Sequence, residues 1–186
     1  SIAQAIEERS QIQFSVKMRL GWEDKDEWRP VLEVLNTLLL THITLHPRIG
    51  TQQYKGEVDM ESFRAFYEAC RHPLVYNGDI HTLANIRSLE EAYPRLAGVM
   101  IGRGLLARPS LAIEYATGQE WSHEKRRKLM TDLHQALMEH WQPLMNSDAQ
   151  LLNKLRTFWE YAEEEIGRKL YKKLMKSGSL KNYLSA

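Results

Sequence analysis

Four short apolar runs, each finishing in a polar or glycine-rich tip, constrain the fold of this chain most. They are residues 14–19 (Phe-Ser-Val-Lys-Met-Arg), 43–48 (Ile-Thr-Leu-His-Pro-Arg), 74–79 (Leu-Val-Tyr-Asn-Gly-Asp) and 98–104 (Gly-Val-Met-Ile-Gly-Arg-Gly). Their starts lie 29, 31 and 24 residues apart, the length of a parallel strand plus a crossover helix. Helical periodicity fills the gaps. Pro30 suits a first helical position, followed by Val31, Val34, Leu35 and Leu38 on one face. Asp59 is placed to cap a segment carrying Phe63, Phe66 and Tyr67, and Thr82 one carrying Ile86 and Leu89. The expected class is α/β, wound right-handedly, with ligands gathering at the carboxyl ends of the strands.

After Pro109 no strand candidate remains. Ser122 is placed to cap a helix with Leu129, Leu133, Leu137 and Trp141 on one face, stopped by Pro143. Two further helical runs carry Leu151, Leu155 and Phe158, then Ile166, Leu170 and Leu174. The pattern divides the chain into an α/β part, 1–120, and a small all-helical domain, 121–186. A (β/α)8 barrel takes about 250 residues, and only four βα units precede the helices. Four open parallel strands leave unpaired edges, so the first part is either a fragment or a half-barrel that pairs with another chain.

Charge differs between the parts: 13 Lys and Arg against 16 Asp and Glu up to residue 120, then 12 against 8. A basic helical part is compatible with a polyanionic partner, and equally with a solvated helical surface. No run reaches the roughly 20 apolar residues of a membrane span, and residues 1–8 read as an acidic amphipathic helix, so the expected location is the cytoplasm, away from membranes. A single cysteine, Cys70, excludes an internal disulfide and a cysteine-based metal site, and the seven histidines show no metal-ligand spacing.

The tips supply the candidate site. Asn77-Gly78-Asp79 and Gly102-Arg103 follow the last two strands, where glycines let backbone N–H groups approach phosphate oxygens and Arg103 adds a cation; the same glycines also serve tight turns. Lys17, expected to end an apolar strand, calls for an anionic or electron-rich partner such as a reducible ring, or for an internal salt bridge. His46 closes the next strand, and Arg48 shares its face if the strand continues past Pro47. Arg48, Gln53, Tyr54 and Lys55 form a polar, aromatic and basic loop suited to a nucleotide, or simply to solvent.

Taken in order, Ser-Val-Lys-Met-Arg-Leu-Gly-Trp (15–22), His-Pro-Arg-x4-Gln-Tyr-Lys-Gly (46–56), Tyr-Asn-Gly-Asp-Ile (76–80) and Gly-Val-Met-Ile-Gly-Arg-Gly-Leu-Leu-Ala-Arg-Pro (98–109) closely resemble the second half of the tRNA-dihydrouridine synthases. The resemblance is strong over residues 11–110. It implies an FMN enzyme, a TIM barrel followed by a helical domain, that reduces the C5–C6 double bond of uridines in tRNA with electrons from NADPH. It assigns Lys17 and His46 to FMN contacts, Asn77, Gly78, Asp79, Gly102 and Arg103 to the ribityl chain and phosphate, and Arg48 to the substrate side, where the loop residues Gln53 and Tyr54, read above as suited to a nucleotide, are expected to join it. Two departures stand out: Pro47 replaces a usual glycine, and the Asn-x-Gly-Cys-Pro motif with its proton-donating cysteine is absent. Cys70 lies in a helix-like stretch and is expected to pack a helix, leaving this chain without the acid and inactive alone. Two other functions fit the same residues: another FMN or phosphate-binding barrel oxidoreductase, which has no need of a basic tail, or a colourless half-barrel serving RNA binding or assembly, with self-association of the half-barrel.

Overall fold

A computed structural model of the chain describes residues 5, 8 and 12–186, so the N-terminal helix expected over residues 1–8 lies largely outside them. The four runs are strands: β1 (Ser15–Gly21), β2 (His42–Ile49), β3 (Leu74–Asn77) and β4 (Leu96–Met100). They form one parallel sheet in the order β1-β2-β3-β4. Strand alternation then sorts the side chains. Leu20, Ile43, Leu45, Leu74 and Tyr76 are buried on one face, while Lys17, Arg19, Thr44, His46, Arg48 and Asn77 occupy the alternate positions, where Thr44, His46 and Arg48 are buried as well.

Helices α1 (Trp28–Leu35), α2 (Met60–Ala69) and α3 (Leu83–Ala92) connect the strands. Asp59 caps α2 as expected, its carboxylate accepting from the Ser62 N–H at 2.9 Å and the Ser62 hydroxyl at 2.8 Å. Phe63 stands edge-on to both Tyr76 and Tyr93, each at 4.9 Å, and Phe66 meets Trp28 at 5.1 Å. Fully burying a side chain of this kind contributes roughly 1.5–3 kcal/mol, so this aromatic cluster is the chief glue of the α/β part.

Several local expectations shift by a residue or two. The buried face of α1 is Trp28, Leu32 and Leu35, whereas Val31 and Val34 are 46% and 57% exposed. The helix begins two residues before Pro30, and Trp28 anchors it on Phe66, which turns the valines outward. Lys17 and His46 sit inside their strands rather than closing them, because β1 runs on to Gly21 and β2 to Ile49. Pro47 is tolerated because β2 pairs with β3 only over Ile43–Leu45 and the β1–β2 register shifts between Arg19 and Gly21, so no ladder bond needs its missing N–H.

The chain packs as two compact units, residues 1–80 with 84–101, and 81–83 with 102–186. The second is helical: α4 (Arg103–Ala107), α5 (Leu111–Thr117), α6 (His123–Trp141), a 3-10 turn at Gln142–Leu144, α7 (Asp148–Phe158), α8 (Glu163–Ile166), α9 (Arg168–Met175) and α10 (Leu180–Leu184). Ser122 caps α6 through the Lys125 N–H, and Pro143 lies in the turn that ends it. Its core is Met130, Leu151, Leu152, Leu155, Trp159, Ala162, Leu174 and Tyr183, with Ile166 and Leu170 packed against it. On α6 the buried residue is Met130, while Leu133 is exposed, because Met130 is the position facing α7 and α9 residues in that core. At its centre the Tyr183 hydroxyl accepts from the Trp159 ring N–H at 2.7 Å and lies 2.6 Å from His134 Nε2. A second polar centre holds residues 108–121 together: buried Glu114 accepts from Arg108 Nε at 3.0 Å, from a second Arg108 nitrogen, from the Ser110 hydroxyl at 2.6 Å and from the Trp121 N–H at 2.7 Å.

Candidate functional site

In the first unit β2 presents His46 and Arg48 on one face, the continuation past Pro47 that the sequence left open. Arg48 is 2% exposed and fully engaged on its outer nitrogens. Nη1 lies 3.1 Å from His46 Nε2 and donates to Asp79 Oδ1 at 3.0 Å; Nη2 donates to the Gly56 carbonyl at 2.6 Å and to Asp79 Oδ2. Its Nε is buried without a hydrogen-bond partner. Asp79 holds its end of this bidentate pair with φ of 40°, in the left-handed region that costs a non-glycine residue roughly 1–3 kcal/mol. A strained backbone is retained where its side chain is needed.

Burial, and then the positive charges of Arg19, Arg48 and Lys17, push the His46 pKa down to about 4 against the opposing pull of Asp79. His46 is therefore neutral at physiological pH. Arg19 shapes the neighbouring loop, donating to the carbonyls of Ile49 and Gln53, each at 2.8 Å, and lying 5.6 Å from the Tyr54 ring centroid. Gln53 has φ of 53°, so its carbonyl is aimed at Arg19 by an uncommon backbone turn, and exposed Tyr54 stands 6.2 Å from the His46 ring. Lys17, exposed on the face that carries Arg19 and His46, makes no ion pair or hydrogen bond among the described residues, so the neighbouring strand supplies no salt bridge to it.

Asn77 closes β3 and donates to the Met100 carbonyl at 2.7 Å, tying it to β4. Gly78 is needed by its surroundings: a β-carbon there would lie 2.9 Å from Val58 Cγ1 and 3.1 Å from the Tyr76 hydroxyl. Gly102 is different, since a β-carbon would meet nothing within 4 Å and the residue keeps a negative φ. Protein packing gives no reason for that glycine, and the open side is a place where a ligand can approach the backbone. Arg103 follows in the second unit, where with His81 and Tyr161 it lines a cavity of about 650 Å³ that also bears Glu160, Glu163 and Arg168.

The second unit also gathers cations. Of the four basic residues opening α6, Arg126 is committed to Glu165 and the Trp121 carbonyl, Lys128 to Asp132, and Lys125 lies over the Trp121 ring. Arg127 instead joins Arg168, Lys169 and Lys173 of α9 around a cavity of about 470 Å³ floored by Ile166 and Leu170. Lys169, Lys172 and Lys176 are exposed along α9, while the Lys173 ammonium donates to the carbonyls of Ser185 and Ala186.

The sequence-derived candidates in the first unit thus meet around His46, with Lys17, Arg48 and Asp79 all acting on it. Arg19 and the Arg108–Glu114 centre are not among those candidates. A second cation two residues after Lys17 is the available signal for Arg19; nothing local marks Glu114 as the partner of Arg108. Cys70, expected to pack a helix, is buried at the end of α2 and its thiol donates to the His72 carbonyl at 3.6 Å, with burial raising its pKa. Among the described residues no helix is long and apolar enough to cross a membrane.

A family model described as dihydrouridine synthase matches residues 1–183. A probable tRNA-dihydrouridine synthase of Rickettsia bellii is 30% identical over 138 residues, 73% of this chain and 41% of that protein. Its counterpart in Rickettsia conorii is 28% identical over 148 residues, 78% and 44% of the two chains. A tRNA-dihydrouridine(16) synthase of Pseudomonas syringae pv. tomato is 34% identical over 109 residues, 59% and 34%. The chain spans less than half the length of these curated relatives.

Proposed function

The chain belongs to the dihydrouridine synthase family, and from that premise we propose that it is the C-terminal portion of an FMN-dependent tRNA-dihydrouridine synthase, which reduces the C5–C6 bond of a uridine in tRNA at the expense of NADPH. In this reading residues 1–120 are the second half of a TIM barrel and 121–186 a tRNA-binding helical domain, although residues 102–120 pack with the helices that follow them. The observation that carries it lies in the first unit: an exposed Lys17 with no hydrogen bond or ion pair among the described residues, on the face of a neutral His46 among cations; in the second unit, a β-carbon at Gly102 would meet nothing within 4 Å.

These residues fit a flavin. A cation and a neutral ring N–H suit a ring system that gains negative charge on reduction, and backbone N–H groups at a glycine beside an arginine suit a phosphate. Lys17 and His46 would hold the ring, Asn77, Gly78 and Asp79 the ribityl chain, and Gly102 and Arg103 the phosphate. When bound, FMN supplies hydride transfer; the protein's part is to bind it, orient it and place positive charge where negative charge develops. Gln53 and Tyr54, exposed beside Arg19, are assigned to the tRNA side, and Arg48 with them from the resemblance, through a role developed below. The cations of α9 and Arg127 would meet tRNA phosphates.

The test is spectroscopic. Protein purified with this chain, alone or completed to the length of its relatives, should show the visible absorption of bound flavin. A colourless completed protein that gains no such band on titration with FMN would favour an RNA-binding or assembly role.

A further inference from the structure

We propose that Arg48 is a positioning residue for His46: it donates to Nε2, locks the ring in the tautomer that carries its proton on Nδ1, and is itself aimed by Asp79 and the Gly56 carbonyl. This rests on the flavin reading for what His46 serves, and departs from it in what Arg48 does. The chemistry leaves one arrangement. A guanidinium has five N–H donors and no acceptor, so at 3.1 Å from Arg48 Nη1, Nε2 of His46 must be the accepting nitrogen. An imidazole accepting at Nε2 is neutral and bears its hydrogen on Nδ1. Burial and three neighbouring cations disfavour the doubly protonated ring, in agreement.

The fork that makes this contact has no other place to go. Nη1 is shared between His46 and Asp79, and Nη2 between Asp79 and the Gly56 carbonyl, with the side chain 2% exposed. A buried guanidinium held on three sides is a fixed object, and the uncommon backbone conformation of Asp79 is what brings its carboxylate to it. Arg48 therefore reaches no ligand directly. Its effect passes through His46, whose Nδ1 has no hydrogen-bond partner among the described residues and offers a single N–H in a fixed direction. A ring that presents a donor, and not an acceptor, selects an electron-rich atom opposite it: a carbonyl oxygen or an unprotonated ring nitrogen.

Long-range proton–nitrogen NMR of the histidines, on the whole chain without flavin at neutral pH, decides the matter. His46 should give the pattern of an Nδ1-protonated neutral ring. In Arg48→Met, with fold checked by circular dichroism, it should move to the Nε2-protonated or averaged pattern, and FMN affinity should fall about tenfold, the worth of one hydrogen bond. Asp79→Asn, which keeps the size of the clamp but not its charge, should shift the same signal part of the way, and serves if Arg48→Met fails to fold. An Nε2-protonated His46 in the unaltered protein, or an unchanged tautomer in a folded Arg48 or Asp79 variant, overturns the proposal. The expected tautomer in a protein that takes up no FMN would instead overturn the flavin reading and leave the role of Arg48 standing.

Discussion

Two carboxylate–guanidinium pairs do different work. Arg48–Asp79 aims a histidine; Arg108–Glu114 pins the chain where α4, α5 and the start of α6 converge. Glu114 is fully buried, and burial alone would raise its pKa, but hydrogen bonds from Arg108, Ser110 and the Trp121 N–H outweigh that and hold it at about 2. A depressed folded-state pKa contributes stability above the unfolded value of about 4.5, lost as pH falls towards about 2, and a shift of this size corresponds to about 3 kcal/mol. Acid titration of stability should show that loss between pH 5 and 2, and Glu114→Gln should remove that part of the slope while costing about 3–5 kcal/mol at neutral pH, because Arg108 keeps only the exposed Glu120, 2.9 Å away, as its anion. Arg103 is a different kind of arginine, assigned to a ligand. Its replacement by Ala should weaken FMN binding by about 1.5–3 kcal/mol, the range for a charge-assisted hydrogen bond, and unchanged affinity in a fluorescence titration would count against that assignment.

The helix α9 shows what periodicity predicts and what only packing decides. Its inward residues Leu170 and Leu174 and its outward cations Lys169, Lys172 and Lys176 follow directly from the 3.6-residue period. Lys173 belongs to the same outward set by spacing, yet it is tied to the chain's last carbonyls. Reversing Lys169 and Lys172 to Glu should therefore lower tRNA affinity and reduce the salt slope by about one unit for each phosphate no longer neutralised, with FMN binding preserved; an unaltered slope removes α9 from the interface. The same distinction explains the rest. The strands were legible because apolar runs interrupted by charge are rare, and His46, Arg48 and Lys17 stood out inside them. The face of α1 was not, since Val31, Leu32, Val34 and Leu35 offer two overlapping stripes and the packing of Trp28 on Phe66, 38 residues away, chooses between them. Nor was the bond between Arg48 and Asp79, which joins residues 31 apart through a backbone angle that no residue type announces.

At the scale of the molecule, the sheet and the helical unit each carry part of the proposed machinery. The only cysteine is buried and hydrogen-bonded at the end of α2, and a general acid must reach the atom it protonates. Given tRNA, FMN and NADPH, the 186-residue chain alone should form no dihydrouridine by mass spectrometry of the digested RNA, and product above background would mean that another group serves as the acid. The strand order has a further consequence for assembly. Among the described residues β1 and β4 each pair on one side only, and they run in the same direction. Such a sheet is a polar building block with two unlike ends, so copies that join β1 of one to β4 of the next in parallel do so head to tail. Contacts of that kind either close on themselves or grow without limit, and two four-stranded pieces make the eight strands of a closed cylinder. Sedimentation across a concentration series separates the outcomes: closure gives one discrete species of twice the mass, open growth a ladder.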